Sequence, residues 1–383
     1  MTQTVGYGVL YYAFSVLLTP MAADLHTGTA HITAALTISV LVAAASAIPV
    51  GRWLDRHGGR ALMTAGSALG VAAVAAWSQV RTVSQLYAVF VVIGLAGAMS
   101  LYEAAFSVVI AVSEPGRRDS ALLAVTIVAG FASSIFFPLT GWLTATIGWR
   151  AALLLLAMLL AVTAIPGHLV GIPDRGAYRA RAATRRGHRL ADALRDKGFW
   201  LLAAAFVLHS AAVSTVGVLL VTFLRQAGHA ATIAATLAGL LGVLSVTGRL
   251  ASTALARRRG MAAITAATFA VQAAGAAALP HLGRSLVGVV ACVTAFGLGF
   301  GVATIARPAI VAARYGTARY ATIAGALTLP VTIAKAGAPL AAAALPPSRY
   351  MTAAATSCLA AALLLAAATR RPSQGVDDPR IPQ

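Results

Sequence analysis

Twelve apolar runs, each long enough to cross a bilayer, take up nearly the whole of this sequence and leave it one solvent, lipid. They fall near 5–22, 30–50, 61–78, 85–112, 119–142 and 148–170, and again near 199–224, 231–254, 260–279, 284–311, 319–343 and 348–369. A helix needs about 20 apolar residues to span the hydrocarbon core. Backbone N–H and C=O groups find no water there, so each run is expected to satisfy them internally as an α-helix. Charged residues make up only 10% of the 383, too few to cover a soluble domain. The expected fold is an all-α membrane protein of twelve transmembrane helices in two pseudo-symmetric six-helix bundles. No basic region precedes the first run, so it reads as a retained span, not a cleaved leader.

The formal charge of +19 would suggest nucleic acid in a soluble protein, but its distribution points elsewhere. The basic residues lie between the runs and alternate in density. One side of the membrane receives 22 of them, including eight in the stretch 171–197, and the other side receives five. By the positive-inside rule the crowded side is cytoplasmic, with both termini on it. The domain reading is a bundle at 1–170, a basic cytoplasmic linker at 171–198, a second bundle at 199–370 and a cytoplasmic tail at 371–383. Expected partners are the lipid bilayer, a small-molecule substrate and protons, with no nucleic acid, and the chain is expected to act as a monomer. Cys292 and Cys358 lie inside apolar runs without paired spacing, so neither a disulfide nor a metal is expected. No phosphate-cradling loop, HExxH or nucleophile elbow occurs, and no enzyme activity or cofactor is expected.

The halves echo each other: Gly51-Arg52 closes the second run and Gly248-Arg249 the eighth, while Pro138-Leu139 in the fifth recurs as Pro339-Leu340 in the eleventh. After the second run stands GRWLDRHGGR, residues 51–60. It resembles the signature loop of the major facilitator superfamily at Gly51, Asp55, Arg56, Gly58 and Arg60, and departs from it at Gly59, where a basic residue is usual. The resemblance implies the superfamily fold, alternating access around a site between two halves, and a conformational latch in this loop that holds the cytoplasmic side shut. Asp55 fits that role, since it places a negative charge where topology favours positive ones and a helix N-terminus attracts a carboxylate. Arg52 and Arg60 are equally explained as topology signals. The eighth run's counterpart has Ser252 where the acid would stand. The opening GYGVLYYAFSVLLTPM and the pair Tyr102-Glu103 resemble bacterial members of the monocarboxylate-porter and oxalate:formate-antiporter branch, which implies a small organic anion as substrate in the bacterial inner membrane. The eighth run lacks the arginine often found in that branch.

Ionisable groups inside spans are costly and mark function by default. Glu103 is the acid deep in a span and the candidate for proton coupling, with a structural ion pair as the alternative. Lys335 in the eleventh run is a candidate for binding a substrate carboxylate or for pairing with Glu103. Arg307 lies nearer the cytoplasmic end of the tenth run, where it either snorkels or makes a second anion contact. His209 is a candidate contact or a packing residue, and Tyr7 and Tyr11, four apart on one face, either line a cavity or anchor the first helix. The favoured reading is a proton-coupled carrier of a small organic anion. The alternatives are a proton/drug antiporter, which the incomplete Pro138-x-x-Gly141 motif disfavours, and a receptor or scaffold that binds without transport.

Overall fold

The computed structural model describes residues 1–176, 178 and 187–370. Arg179, Arg181, Arg185 and Arg186 of the expected linker, and the expected tail at 371–383, lie outside them. Twelve membrane-length helices follow in order: α1 (Thr2–Asp24), α2 (Thr29–His57), α3 (Arg60–Trp77), α4 (Val83–Val112), α5 (118–147), α6 (149–171), α7 (Lys197–Gln226), α8 (Ala231–Arg259), α9 (Met261–Leu282), α10 (Leu286–Tyr315), α11 (Tyr320–Ala343) and α12 (Pro347–Arg370). From Ala132 the end of α5 and all of α6 form one helical run apart from Gly148, whose φ of 78° turns the chain between them. That left-handed conformation is open to glycine at little cost. Gly58 and Gly260, each at φ 80°, end α2 and α8 in the same way, so the internal repeat extends to its turns.

The chain divides into two compact units. The first holds Met1–Gly187 and Gly316–Leu329, and the second His188–Tyr315 and the residues from Pro330 onward. The opening part of α11 therefore packs with α1–α6. Inside the first unit α2 packs on α4, and α3 on both α4 and α6; inside the second α8 packs on α10, and α9 on both α10 and α12. The same pairing in both units is what a duplicated six-helix sequence should produce.

Each unit has its own apolar core. In the first, Phe14, Trp77 and Phe90 meet with ring centroids 4.9–6.2 Å apart, and the Trp77 indole N–H points at the Met21 sulfur, 3.1 Å away. In the second, Leu220, Phe223, Phe296 and Met351 enclose the buried Cys292 and Cys358. Lipid supplies no hydrophobic drive between helices, so close backbone approach at small residues matters more than in a soluble core. A Cβ on Gly275 of α9 would come within 2.8 Å of the Cys292 carbonyl of α10, and one on Gly94 of α4 would collide with the Ser39 backbone of α2.

Candidate functional site

Three helices of the first unit depart from regular geometry. α1 passes through one π turn at Gly8–Tyr12, a feature often found at functional sites. α4 is interrupted at Leu101, whose ψ of −159° is extended, and restarts at Tyr102. α5 breaks at Phe131. Side chains of α1 support the other two helices: Gln3 Nε2 donates to the Ser100 carbonyl at 2.8 Å and Thr4 Oγ1 to the Val128 carbonyl at 3.0 Å. Gly8 lets α1 sit this close, because a Cβ there would collide with the Phe136 ring.

Glu103 lies in the first turn of the restarted α4 segment, where the aligned peptide dipoles favour negative charge. It is half-buried and within electrostatic reach of the Tyr7 hydroxyl. Tyr7 stands edge-on to Tyr11 with centroids 6.5 Å apart and 4.5 Å from Tyr102, which stacks on Phe106 at 4.9 Å. Tyr11 also meets Tyr12, which packs on Phe137. The structure thus gathers Glu103, Tyr7 and Tyr11 into one aromatic cluster. Tyr102 stood beside Glu103 in the sequence, while Phe106 and Phe137 are members that spacing along the chain did not single out.

In the second unit Arg307 and Lys335 come within electrostatic reach of each other. Arg307 is half-buried and the Lys335 side chain is exposed, each in the interior of its helix. Pro339 has no N–H to offer the Lys335 carbonyl four residues earlier. Ser214 of α7 takes that role, its Oγ donating to the Lys335 carbonyl at 2.6 Å. From residue 197 to residue 376 the sequence contains no Asp or Glu. A carboxylate partner for this cation pair therefore cannot come from the spans of its own half.

His209 is packed within the second unit. It is 1% exposed, its ring stacks on Phe269 at 3.7 Å, and Nε2 is 2.9 Å from Gln272 Oε1. Gln272 Nε2 donates to the Phe296 carbonyl, so its Oε1 faces His209 as an acceptor and His209 Nε2 carries the proton. This network ties α7, α9 and α10 together inside the second unit.

The loop after α2 is built around Asp55. Oδ1 accepts from the Ala321 N–H at 3.0 Å, and Oδ2 from the Thr322 N–H at 2.9 Å and the Thr322 hydroxyl at 2.5 Å. These are the first donors of α11, which its own helix leaves unpaired. Arg319 adds a positive charge within electrostatic reach. Gly51 brings the two helices together, since a Cβ would collide with the Ala321 carbonyl. Gly58 lies under the Tyr178 ring, and Gly59 has no room for a side chain because its Cβ would fall on Val108, which accounts for the departure at that position. Arg56 is exposed and Arg60 half-buried.

Asp196, at the start of α7, is a group that reading the sequence passed over. Its Oδ2 accepts from Arg314 Nε at 3.1 Å, Arg314 Nη2 at 3.0 Å and the Tyr315 hydroxyl at 2.8 Å, while Arg314 Nη1 donates to the Ala368 carbonyl at 2.6 Å. Burial pushes the Asp196 carboxyl up, but the Gly198 N–H, the Tyr315 hydroxyl and the Arg314 guanidinium together hold it below the usual carboxylate range. A depressed acid stabilises the fold above its unfolded value, and that contribution is lost as pH falls through the folded value. Asp196→Asn is therefore expected to destabilise the protein by about 1–2 kcal/mol near neutral pH. The deficit should shrink as the pH is taken below about 4. Thermal melts of both proteins across pH check this, and a deficit independent of pH would contradict it.

Similarity to known proteins follows the same architecture. A sequence model of the Major Facilitator Superfamily matches residues 2–339. The chain belongs to that superfamily. It is a multi-span membrane transporter and not an enzyme, with the twelve-helix fold of its relatives. No protein of curated function matches it in sequence. Among solved structures it resembles the Escherichia coli fucose:proton symporter, at 15% identity and a TM-score of 0.70 over 96% of this chain and 97% of that one. It also resembles a human organic anion transporter, at 17% and 0.64 over 96% and 97%. A bacterial homologue of the iron transporter ferroportin in an outward-facing state matches at 15% and 0.67 over 97% and 99%. Such varied relatives share the fold of this transporter and leave its substrate to be argued from its own residues.

Proposed function

We propose that this superfamily member is a proton-coupled carrier of small organic anions, working by alternating access in a bacterial cytoplasmic membrane with both termini on the cytoplasmic side. The observation that carries the reading is the cation pair of Arg307 and Lys335 in a half whose spans hold no carboxylate. Two positive charges close together within the membrane repel each other and jointly attract a negative one. A substrate carboxylate supplies one. The organic anion transporter among its structural relatives is in keeping with this, as is the fucose:proton symporter with proton linkage.

Glu103 takes the proton-carrying role. Loading and releasing a proton changes its charge, and a change of charge within the membrane alters which conformation the bundle prefers. Glu103→Gln fixes that charge at zero. Reconstituted in liposomes, the variant is expected to retain substrate exchange across an equal gradient while proton-driven accumulation falls to the level of empty vesicles. Accumulation equal to wild type would remove Glu103 from the mechanism.

The second reading, an exporter of amphipathic cations, has one observation in its favour. An acid within electrostatic reach of Tyr7, whose ring meets Tyr11 and Tyr102, offers both a carboxylate and aromatic faces, the combination that recognises a cation. That reading gives the Arg307–Lys335 pair no ligand.

A further inference from the structure

The groups argued above to carry proton and substrate both lie at places where a helix loses its own hydrogen bonds. α4 stops at Leu101, two residues before Glu103, and such a stop frees the carbonyls before it and the N–H groups after it. α11 loses the bond to the Lys335 carbonyl itself, because Pro339 stands four residues later. In lipid a freed carbonyl must find another donor. Each one is taken by a side chain from the first helix of its own repeat: Gln3 of α1 donates to Ser100, and Ser214 of α7 donates to Lys335. Both separations are short, 2.8 and 2.6 Å, and each joins residues about a hundred positions or more apart in the chain. Gln3 and its bond to Ser100 are buried, so water does not readily replace that donor, while Ser214 is half-buried beside the exposed Lys335.

We propose that Gln3 and Ser214 are positioning residues for transport: they hold the interrupted backbones of α4 and α11 so that Glu103 and Lys335 keep their place and orientation. The inference rests on the reading that Glu103 and Lys335 act in transport. Neither donor needs to touch the substrate. A merely structural donor would contribute to stability alone, whereas a positioning donor sets how well the charged side chain beyond it meets its ligand.

The test uses the full-length transporter in liposomes and a panel of small mono- and dicarboxylates, with melting temperature measured on the same preparations. Ser214→Ala is expected to raise KM for the carboxylate that is transported about five-fold, with kcat little changed, and Ser214→Thr, which keeps the hydroxyl, to restore it. Gln3→Leu is expected to displace the pH profile of transport, the readout of Glu103, leaving KM for substrate nearly unchanged at the optimum pH. If Gln3→Leu does not fold, the Ser214 pair decides. A lowered melting temperature in Ser214→Ala with KM equal to wild type would overturn the proposal and make the bond structural. Lys335→Ala is run alongside: transport lost in that variant while Ser214→Ala behaves as wild type overturns the positioning role alone, and transport unchanged in Lys335→Ala overturns the reading beneath it as well.

Discussion

Lys335→Gln is expected to lower kcat/KM for the transported carboxylate by about 10- to 150-fold, the loss that follows when a hydrogen bond to a charged group is removed. The side chain stands in the interior of α11 and shares its surroundings with Arg307, so its charge is felt by whatever anion approaches either residue. Lys335→Arg keeps the charge but changes a compact ammonium into a planar fork, and it should recover only part of the activity. Arg307→Gln should act in the same direction. Because the two cations serve one ligand, the double variant should lose less than the two single losses added together. Radiolabelled uptake into liposomes measures each effect. Equal kinetics in Lys335→Gln and wild type would detach the cation pair from substrate binding.

Asp55→Asn should have the next largest effect, and on conformation more than on binding. Both carboxylate oxygens accept, one from Ala321 and the other twice from Thr322. An amide keeps one acceptor, turns a second N–H donor toward donors already present, and removes the charge that the α11 N-terminus and Arg319 stabilise. Losing this set should shift the equilibrium between latched and unlatched forms by roughly 10- to 100-fold. Thr322→Ala removes only the hydroxyl donor and should shift it less. Spin labels at the end of α2 and the start of α11 report the change as a broadened or lengthened distance distribution. Identical distributions for Asp55→Asn and wild type would mean the contact is a static cap.

Much of the fold was legible because lipid allows so few solutions. Apolar runs of bilayer length marked the helices, and their observed ends fall within a few residues of the expected ones, apart from the longer C-terminal ends of α2 and α8 and a similar extension of α5. Those extensions carry arginines or polar residues that hydropathy counts as loop, yet a helix continues beyond the hydrocarbon layer without cost. The interruption of α4 at Leu101 left no such mark. Neither proline nor glycine stands at that point, and the break depends on Gln3, nearly a hundred residues earlier, to take the Ser100 carbonyl. The π turn of α1 was equally hidden, since GVLYY is a sequence that a regular helix also accepts.

Of the candidate site, Asp55 and Glu103 stood out by sign and depth of charge, properties that one sequence displays. The same argument from sign applied to Asp196, an acid in a basic stretch, and would have found the Arg314 and Tyr315 clamp. Partnerships formed by packing were out of reach. Gln272 meets His209 from 63 positions away, and nothing in either neighbourhood announces the pair. Ser214 is an ordinary span serine until Pro339 is seen to free the carbonyl it takes.

The most direct test of the central claim is substrate-evoked proton movement in liposomes that hold the purified transporter and an internal pH dye. Small carboxylates and cationic amphiphiles are added in turn to wild type and to Glu103→Gln. The account predicts proton movement evoked by one or more carboxylates, absent with the cations, and lost in the variant. Movement evoked by cationic amphiphiles alone would contradict it and assign the transporter to the exporters.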